Sequence, residues 1–140
     1  MTPGRRVLII DDTPEIAELL TFALRDRGYQ ALSSGFTDAI CELLEDERAD
    51  ALVLDCSVYE MSEALFDTVR AHARFADLPI VVISDMPEKA DRSLQAREAT
   101  HVLLIPKPFS GAQVARALDQ LFSTDGSKQQ AAGSGSAAEQ

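Results

Sequence analysis

Four short apolar runs punctuate the chain: Val7 to Ile10, Ala51 to Leu54, Ile80 to Ile83 and Val102 to Ile105. Each is rich in branched residues and none alternates with polar positions, which is the pattern of strands covered on both faces. A weaker strand is expected over Tyr29 to Leu32. Between the runs the period lengthens to that of a helix. Thr13 and Pro14 supply an N-cap and a first-turn proline, Ile16, Leu19, Leu20, Ala23 and Leu24 mark one apolar face, and Gly28 offers a C-cap. Ser110 opens a last helix with Val114, Ala117, Leu118, Leu121 and Phe122 at the same spacing. Further helices are expected over Thr37 to Glu47, Ser62 to Ala73 and Pro87 to Arg97. The helix from Pro87 has only Ala90, Leu94 and Ala96 as apolar side chains, so it should be loosely held. Strands that alternate with helices predict an α/β fold: a doubly wound five-stranded parallel sheet, right-handed crossovers and helices on both faces.

Length and composition narrow this further. With 140 residues, 46% of them hydrophobic and 26% charged, the chain reads as one ordinary globular domain. The domain is expected over residues 1–123. Residues 124–140, TDGSKQQAAGSGSAAEQ, hold no branched apolar or aromatic side chain to offset their ordering entropy and read as a flexible tail or linker remnant, with no effector domain after them. A net charge of −10 opposes adhesion to nucleic acid or anionic lipid. The apolar run after Arg5 and Arg6 is too short for a signal-peptide core, and no run reaches membrane-spanning length. Cys41 and Cys56 read as small buried hydrophobes rather than a disulfide, which fits a reducing cytoplasm.

The chemistry gathers where the runs end. Asp11 and Asp12 follow the first, Asp55 the second, Ser84 the third, and Lys107 the fourth with one proline between. In a doubly wound sheet these ends share one edge, where ligands bind. Three carboxylates brought together repel and raise one another's pKa unless a cation intervenes, and Mg²⁺ favours a few carboxylate oxygens with waters and a phosphate. An ammonium and a hydroxyl opposite the metal suit the oxygens of a transferred phosphoryl group, leaving Asp55 as the nucleophile.

On these residues the chain resembles the receiver domains of bacterial two-component response regulators, over about residues 5 to 123. The carrying motifs are Asp11-Asp12 after VLII, Asp55 after ALVL, Ser84 after IVVI, and Lys107-Pro108-Phe109. The resemblance implies strand order 2-1-3-4-5 and a cis Lys107-Pro108 bond. It implies that Asp12 and Asp55 ligate Mg²⁺ directly, that Asp11 does so mostly through water, and that the backbone carbonyl of Ser57 completes the protein ligands. It further implies that Asp55 carries the phosphoryl group, that Ser84 and Lys107 bind its oxygens, and that the donor is a phosphohistidine on a sensor kinase or phosphotransfer protein. Output would pass through protein contacts at the face of the last two helices and fifth strand, where Arg92, Arg97 and Arg116 are candidates. Such a domain is a switch rather than an enzyme, with at most slow self-phosphorylation from small donors and autodephosphorylation.

The chain also departs from that family. Asp85 follows the hydroxyl residue where a small side chain is usual; it either repels a phosphodonor at the pocket mouth or caps the helix at Pro87, and capping is the preferred reading. Leu104 stands where an aromatic usually turns inward. Val58 and Tyr59 replace the usual Met-Pro after the phosphoacceptor strand, and Tyr59 is read as packing on the third helix. His72 and His101 lack companions at ligand spacing and are read as core or surface residues, and Glu42 to Arg48 as a solvated helix face. Two alternatives remain. One is a degenerate receiver that binds partners without being phosphorylated. The other is a metal-dependent phosphatase of the haloacid dehalogenase kind, which the DDTP sequence fits poorly because that family shows DxD. A flavodoxin-like cofactor domain is weaker still, since no phosphate loop follows the first strand.

Overall fold

The computed structural model describes residues 4–55 and 59–127. Five strands, β1 (Arg6–Asp11), β2 (Gln30–Ser34), β3 (Ala51–Asp55), β4 (Ile80–Ser84) and β5 (Val102–Pro106), alternate with five helices, α1 (Pro14–Asp26), α2 (Ile40–Asp46), α3 (Tyr59–Ala71), α4 (Pro87–Ala96) and α5 (Gly111–Ser127). The strands form one parallel sheet in the order β2-β1-β3-β4-β5, as expected. A strand buried on both faces must be apolar at every position, and β1 shows why. Val7 and Ile9 point into a core shared with Leu20, Leu24, Val114 and Leu118 of α1 and α5. Leu8 and Ile10 point the other way, into a core with Ile40, Leu44, Leu65, Phe66 and Val69 of α2 and α3. Both faces are covered, so alternation disappears.

Gly111 allows the start of α5 to approach α1 closely: a Cβ there would stand 2.4 Å from that of Ala23. The same helix opens on a reciprocal cap. Gln113 N–H donates to Ser110 Oγ at 3.2 Å, and Ser110 N–H donates to Gln113 Oε1 at 2.7 Å. The helix continues past Ser123, where the apolar stripe ends, to Ser127; the rest of the expected tail lies outside the described residues.

Several boundaries differ from expectation, each for a local reason. β2 starts at Gln30 because Tyr29 N–H is taken by Leu24 O, closing the end of α1. α2 starts at Ile40, not Thr37, because Thr37 Oγ1 accepts the Ala39 N–H and holds a turn there. α3 starts at Tyr59 and ends at Ala71, where the His72 ring accepts the Arg74 N–H and opens a short 3₁₀ turn. Three helices end alike. The amide two residues past the C-cap bonds back to the helix in the pairs Tyr29 to Leu24, Ala49 to Leu44 and Ala99 to Leu94. The residue between takes positive φ: Gly28 at 92°, Arg48 at 53° and Glu98 at 51°. Only the first of these ends carries the glycine that announces it in sequence.

At the amino-terminal pole of the strands, Arg70 of α3 gathers the connections. Its guanidinium donates to the carbonyls of Phe75 (3.0 Å), Leu78 (2.7 Å), Thr100 (2.8 Å) and His101 (3.2 Å), and it lies 5.2 Å from the Phe66 ring. Burial pulls its pKa down, partly offset by Asp77. Cys41 is half-buried against the Thr68 carbonyl, while Cys56 lies outside the described residues. No described helix is long and apolar enough to cross a membrane.

Candidate functional site

The carboxyl ends of β1, β3, β4 and β5 deliver the predicted residues to one edge. Asp11 and Asp55 are register partners in adjacent parallel strands, and both are buried, at 5% and 1% exposure. They are the only buried charged residues among the described ones. Each carboxylate has one oxygen satisfied. Asp11 Oδ1 accepts the Thr13 N–H at 2.8 Å, and Asp55 Oδ1 lies 3.0 Å from Lys107 Nζ. Each Oδ2 is buried with no partner. Buried carboxylate oxygens without partners are costly, and two on neighbouring strands are more so.

The electrostatics follow. Burial pushes the Asp11 carboxyl up to about 7, and the neighbouring charges of Asp55 and Asp12 add to the rise, against the lowering effect of the Thr13 N–H. For Lys107, burial works downward, but the hydrogen bond and charge of Asp55, with the charges of Asp85 and Asp11, raise its pKa on balance. It therefore stands as an ammonium on the Asp55 carboxylate.

β4 and β5 hold the other side. Ser84 is the partner of Pro106, and Lys107 N–H donates to Ser84 O at 2.8 Å, which fixes the lysine's backbone beside the serine. The Lys107-Pro108 bond is cis, as the resemblance implied. Ser84 Oγ accepts the Met86 N–H at 2.9 Å, so its own proton remains to be donated. Asp85 does not cap α4. The N-cap position belongs to Met86, with no side-chain bond, and Asp85 is exposed, its charge felt by Lys107. Thr13 likewise occupies the N-cap of α1 without a side-chain bond, while its own N–H donates to Asp11.

Not all the predicted ligands converge. Asp12 is exposed beside the buried pair, and among the described residues no three His, Cys, Asp or Glu side chains form a ready metal cluster. Ser57 lies outside the described residues, as does the side chain of Tyr59. His72 and His101 have other partners: the His72 ring lies tilted against Phe75 at 5.0 Å and faces Glu45, and His101 faces Asp77. The chemistry of the donor set nevertheless fits a hard divalent ion. Two buried carboxylates each present an oxygen that nothing in the protein satisfies, and a small cation is what relieves them.

Sequence reasoning missed Arg97. It was expected on the outer signalling face, but its guanidinium turns to α3 and engages Asp67 and Glu63. A long-range pair of this kind leaves no trace in local sequence pattern.

Comparison with known proteins identifies the family. Residues 7–138 match the response regulator receiver domain family. The transcriptional regulatory protein GltR of Pseudomonas aeruginosa is 34% identical over 112 residues, covering 76% of this chain and 44% of that protein. The chain spans about half the length of the curated relatives it matches. The signal receiver domain of a histidine kinase from Syntrophus aciditrophicus superposes with a TM-score of 0.72 at 25% identity, covering 91% of this chain and 96% of its own. The receiver domain of a sensor histidine kinase from Pseudomonas aeruginosa PAO1, solved with a magnesium ion coordinated in its active-site cleft, has a TM-score of 0.66 at 22% identity, covering 86% and 98%. With the strand order, the buried acidic pair and the lysine-proline corner in place, this chain belongs to the response regulator receiver domains, the phosphoacceptor signalling modules of two-component systems.

Proposed function

We propose that the domain, over residues 1–123, takes a phosphoryl group onto a carboxylate oxygen of Asp55 from a phosphohistidine of a sensor kinase or phosphotransfer protein. The observation that carries this reading is the state of Asp55: 1% exposed, one oxygen on Lys107 and the other buried with no partner. In the transfer, the P–N bond of the donor breaks, a P–O bond to Asp55 forms, and the histidine keeps the electron pair. Lys107 moves from the carboxylate to the phosphoryl oxygens, and the Ser84 hydroxyl donates to another of them. Asp11, Asp12, Asp55 and the carbonyl of Ser57 would hold Mg²⁺, which neutralises the charge that gathers during transfer. Turnover is limited to slow self-phosphorylation from small donors and slow loss of the acyl phosphate. Output then passes through the face of α4, β5 and α5, where Arg92 and Arg116 are exposed.

Incubation with Mg²⁺ and acetyl phosphate should add the mass of one phosphoryl group to the intact protein, and Asp55→Ala should abolish the gain. No gain at saturating donor would overturn the reading and leave a phosphorylation-independent binding module. For the output face, Arg92→Ala and Arg116→Ala should weaken capture of the downstream protein more than Glu42→Ala on α2; equal losses would reject that face.

A further inference from the structure

α4 has a weak apolar hold on the body. Of its ten residues only Ala90 is fully buried, with Leu94 partly packed. A polar clasp to α3 compensates. Arg97, just after the helix, donates Nε to Asp67 Oδ1 at 2.7 Å and Nη2 to Asp67 Oδ2 at 3.0 Å, a fork-to-fork pair. Its Nη1 lies 3.4 Å from Glu63 Oε2 and also donates to Ser93 O at 3.1 Å. Ser93, one turn earlier, donates its hydroxyl to the same Glu63 oxygen.

Beneath the clasp the helices do not close. A cavity of about 40 Å³ lies between α3 and α4, walled by Leu54, Phe66, Val82, Ala90 and Leu94. It runs from Arg97 at one end to Ser84 and Asp85 of the phosphoacceptor edge at the other. Ser62, Glu63 and Ser93 line it beside the apolar side chains and it opens to solvent, so α3 and α4 are not joined there by close side-chain packing. A small shift of α4 into this open gap therefore meets few packed side chains. The other end of α4 is tied to the site itself, because the Met86 N–H bonds Ser84 Oγ.

From a helix fixed at both ends over an open gap, one end at the site and the other at α3, we infer that the Arg97 clasp holds α4 in its resting position. Its strength then sets how readily the Asp55 site is occupied. This rests on the phosphoacceptor reading above. An interaction made more strongly in the empty conformer lowers the affinity of any ligand that favours the other conformer, by the difference between the two. A bidentate, networked ion pair at a half-exposed position supports an effect of about three- to tenfold.

The test uses the full chain with Mg²⁺ and beryllofluoride, a phosphoryl mimic, with affinity read by calorimetry and α4 opening by hydrogen exchange. Arg97→Gln and Asp67→Asn should bind beryllofluoride about three- to tenfold more tightly than wild type, with Arg97→Lys intermediate. Gln95→Ala, whose bond is internal to α4, should match wild type. Exchange of the α4 amides should accelerate in Arg97→Gln while that of α1 stays unchanged. Equal or weaker affinity in both clasp variants overturns the inference, and so does acceleration spread equally over α1 and α4. If wild type takes up no beryllofluoride, the phosphoacceptor reading fails, and the exchange comparison alone decides whether the clasp holds α4.

Discussion

Replacing Asp11 by asparagine should stabilise the metal-free protein, and only above a definite pH. The buried carboxyl titrates at about 7 in the fold against an ordinary value of 3.8. A raised carboxylate pKa means that the fold favours the protonated form. The fold therefore keeps its full stability below about pH 4 and loses it as pH rises toward 7, after which the loss is constant. For a buried carboxyl beside like charges the loss is on the order of a few kcal/mol. Asparagine keeps an oxygen for the Thr13 N–H and offers an amide donor to the unpartnered Asp55 Oδ2, so it should recover about 1–3 kcal/mol of that. The assay is urea unfolding of both proteins in chelator across the acidic to mildly alkaline range, repeated with saturating Mg²⁺. The difference between them should be near zero at the acidic end, grow through neutrality and then level off. Asp67, whose carboxyl is held low by its hydrogen bond to Arg97, gives the opposite slope in acid. It cancels in the difference because both proteins carry it. Mg²⁺ should shrink the gap by stabilising wild type, about 2.7 kcal/mol for a hundredfold excess over its dissociation constant. A pH-independent difference, or a less stable Asp11→Asn protein in chelator above neutrality, would refute the account of the acidic pair.

Three further outcomes are expected. Arg70→Met strips the donors from four carbonyls at the amino-terminal pole and should cost about 2–3 kcal/mol by denaturant unfolding, with Arg70→Lys recovering part of it; a loss below the assay's error would show that water replaces the guanidinium. Gly111→Ala drives a methyl against Ala23 and should cost about 1–3 kcal/mol, reduced in combination with Ala23→Gly; additivity of the two changes would refute the contact. Glu98→Gly relieves a left-handed residue at the end of α4 and should raise stability by up to about 1 kcal/mol in thermal unfolding, a gain trimmed by glycine's freedom in the unfolded chain; a clear loss would count against strain there.

What the sequence makes legible in this fold is what depends on local pattern. The three central strands are plain because burial on two faces removes every polar position, as from Val7 to Ile10 and Ala51 to Leu54, whereas β5, expected to be covered on both faces, is an edge strand with only Ile105 buried. Asp11, Asp55, Ser84 and Lys107 are plain because each is the polar residue that ends such a run, and parallel strands put all such ends on one edge. The ends of α2 and α4 are hidden because Arg48 and Glu98 do by strain what Gly28 does freely. The start of α2 is hidden because Thr37 holds a turn within an apparently helical stretch. Arg70 and Arg97 are hidden for a different reason. Their partners lie up to about thirty residues away, and a charged side chain reads as a solvated one until the fold brings its partner beside it.

The unbroken apolar character of β1 has a consequence for how the chain finds its alignment. Moving β1 by one residue would exchange Val7 and Ile9 with Leu8 and Ile10 between the two cores, and every exchanged side chain would still be aliphatic. Hydrophobicity alone is then a poor guard against slippage, in contrast to a sheet with one wet face. What changes sharply is the last position. Asp11, opposite Asp55 in the native pairing, would either be drawn in among aliphatic side chains or be carried past the edge, away from Asp55. The acid placed at the candidate site thus doubles as the stop that tells the strand where to end, and a substitution made to probe one role will also test the other.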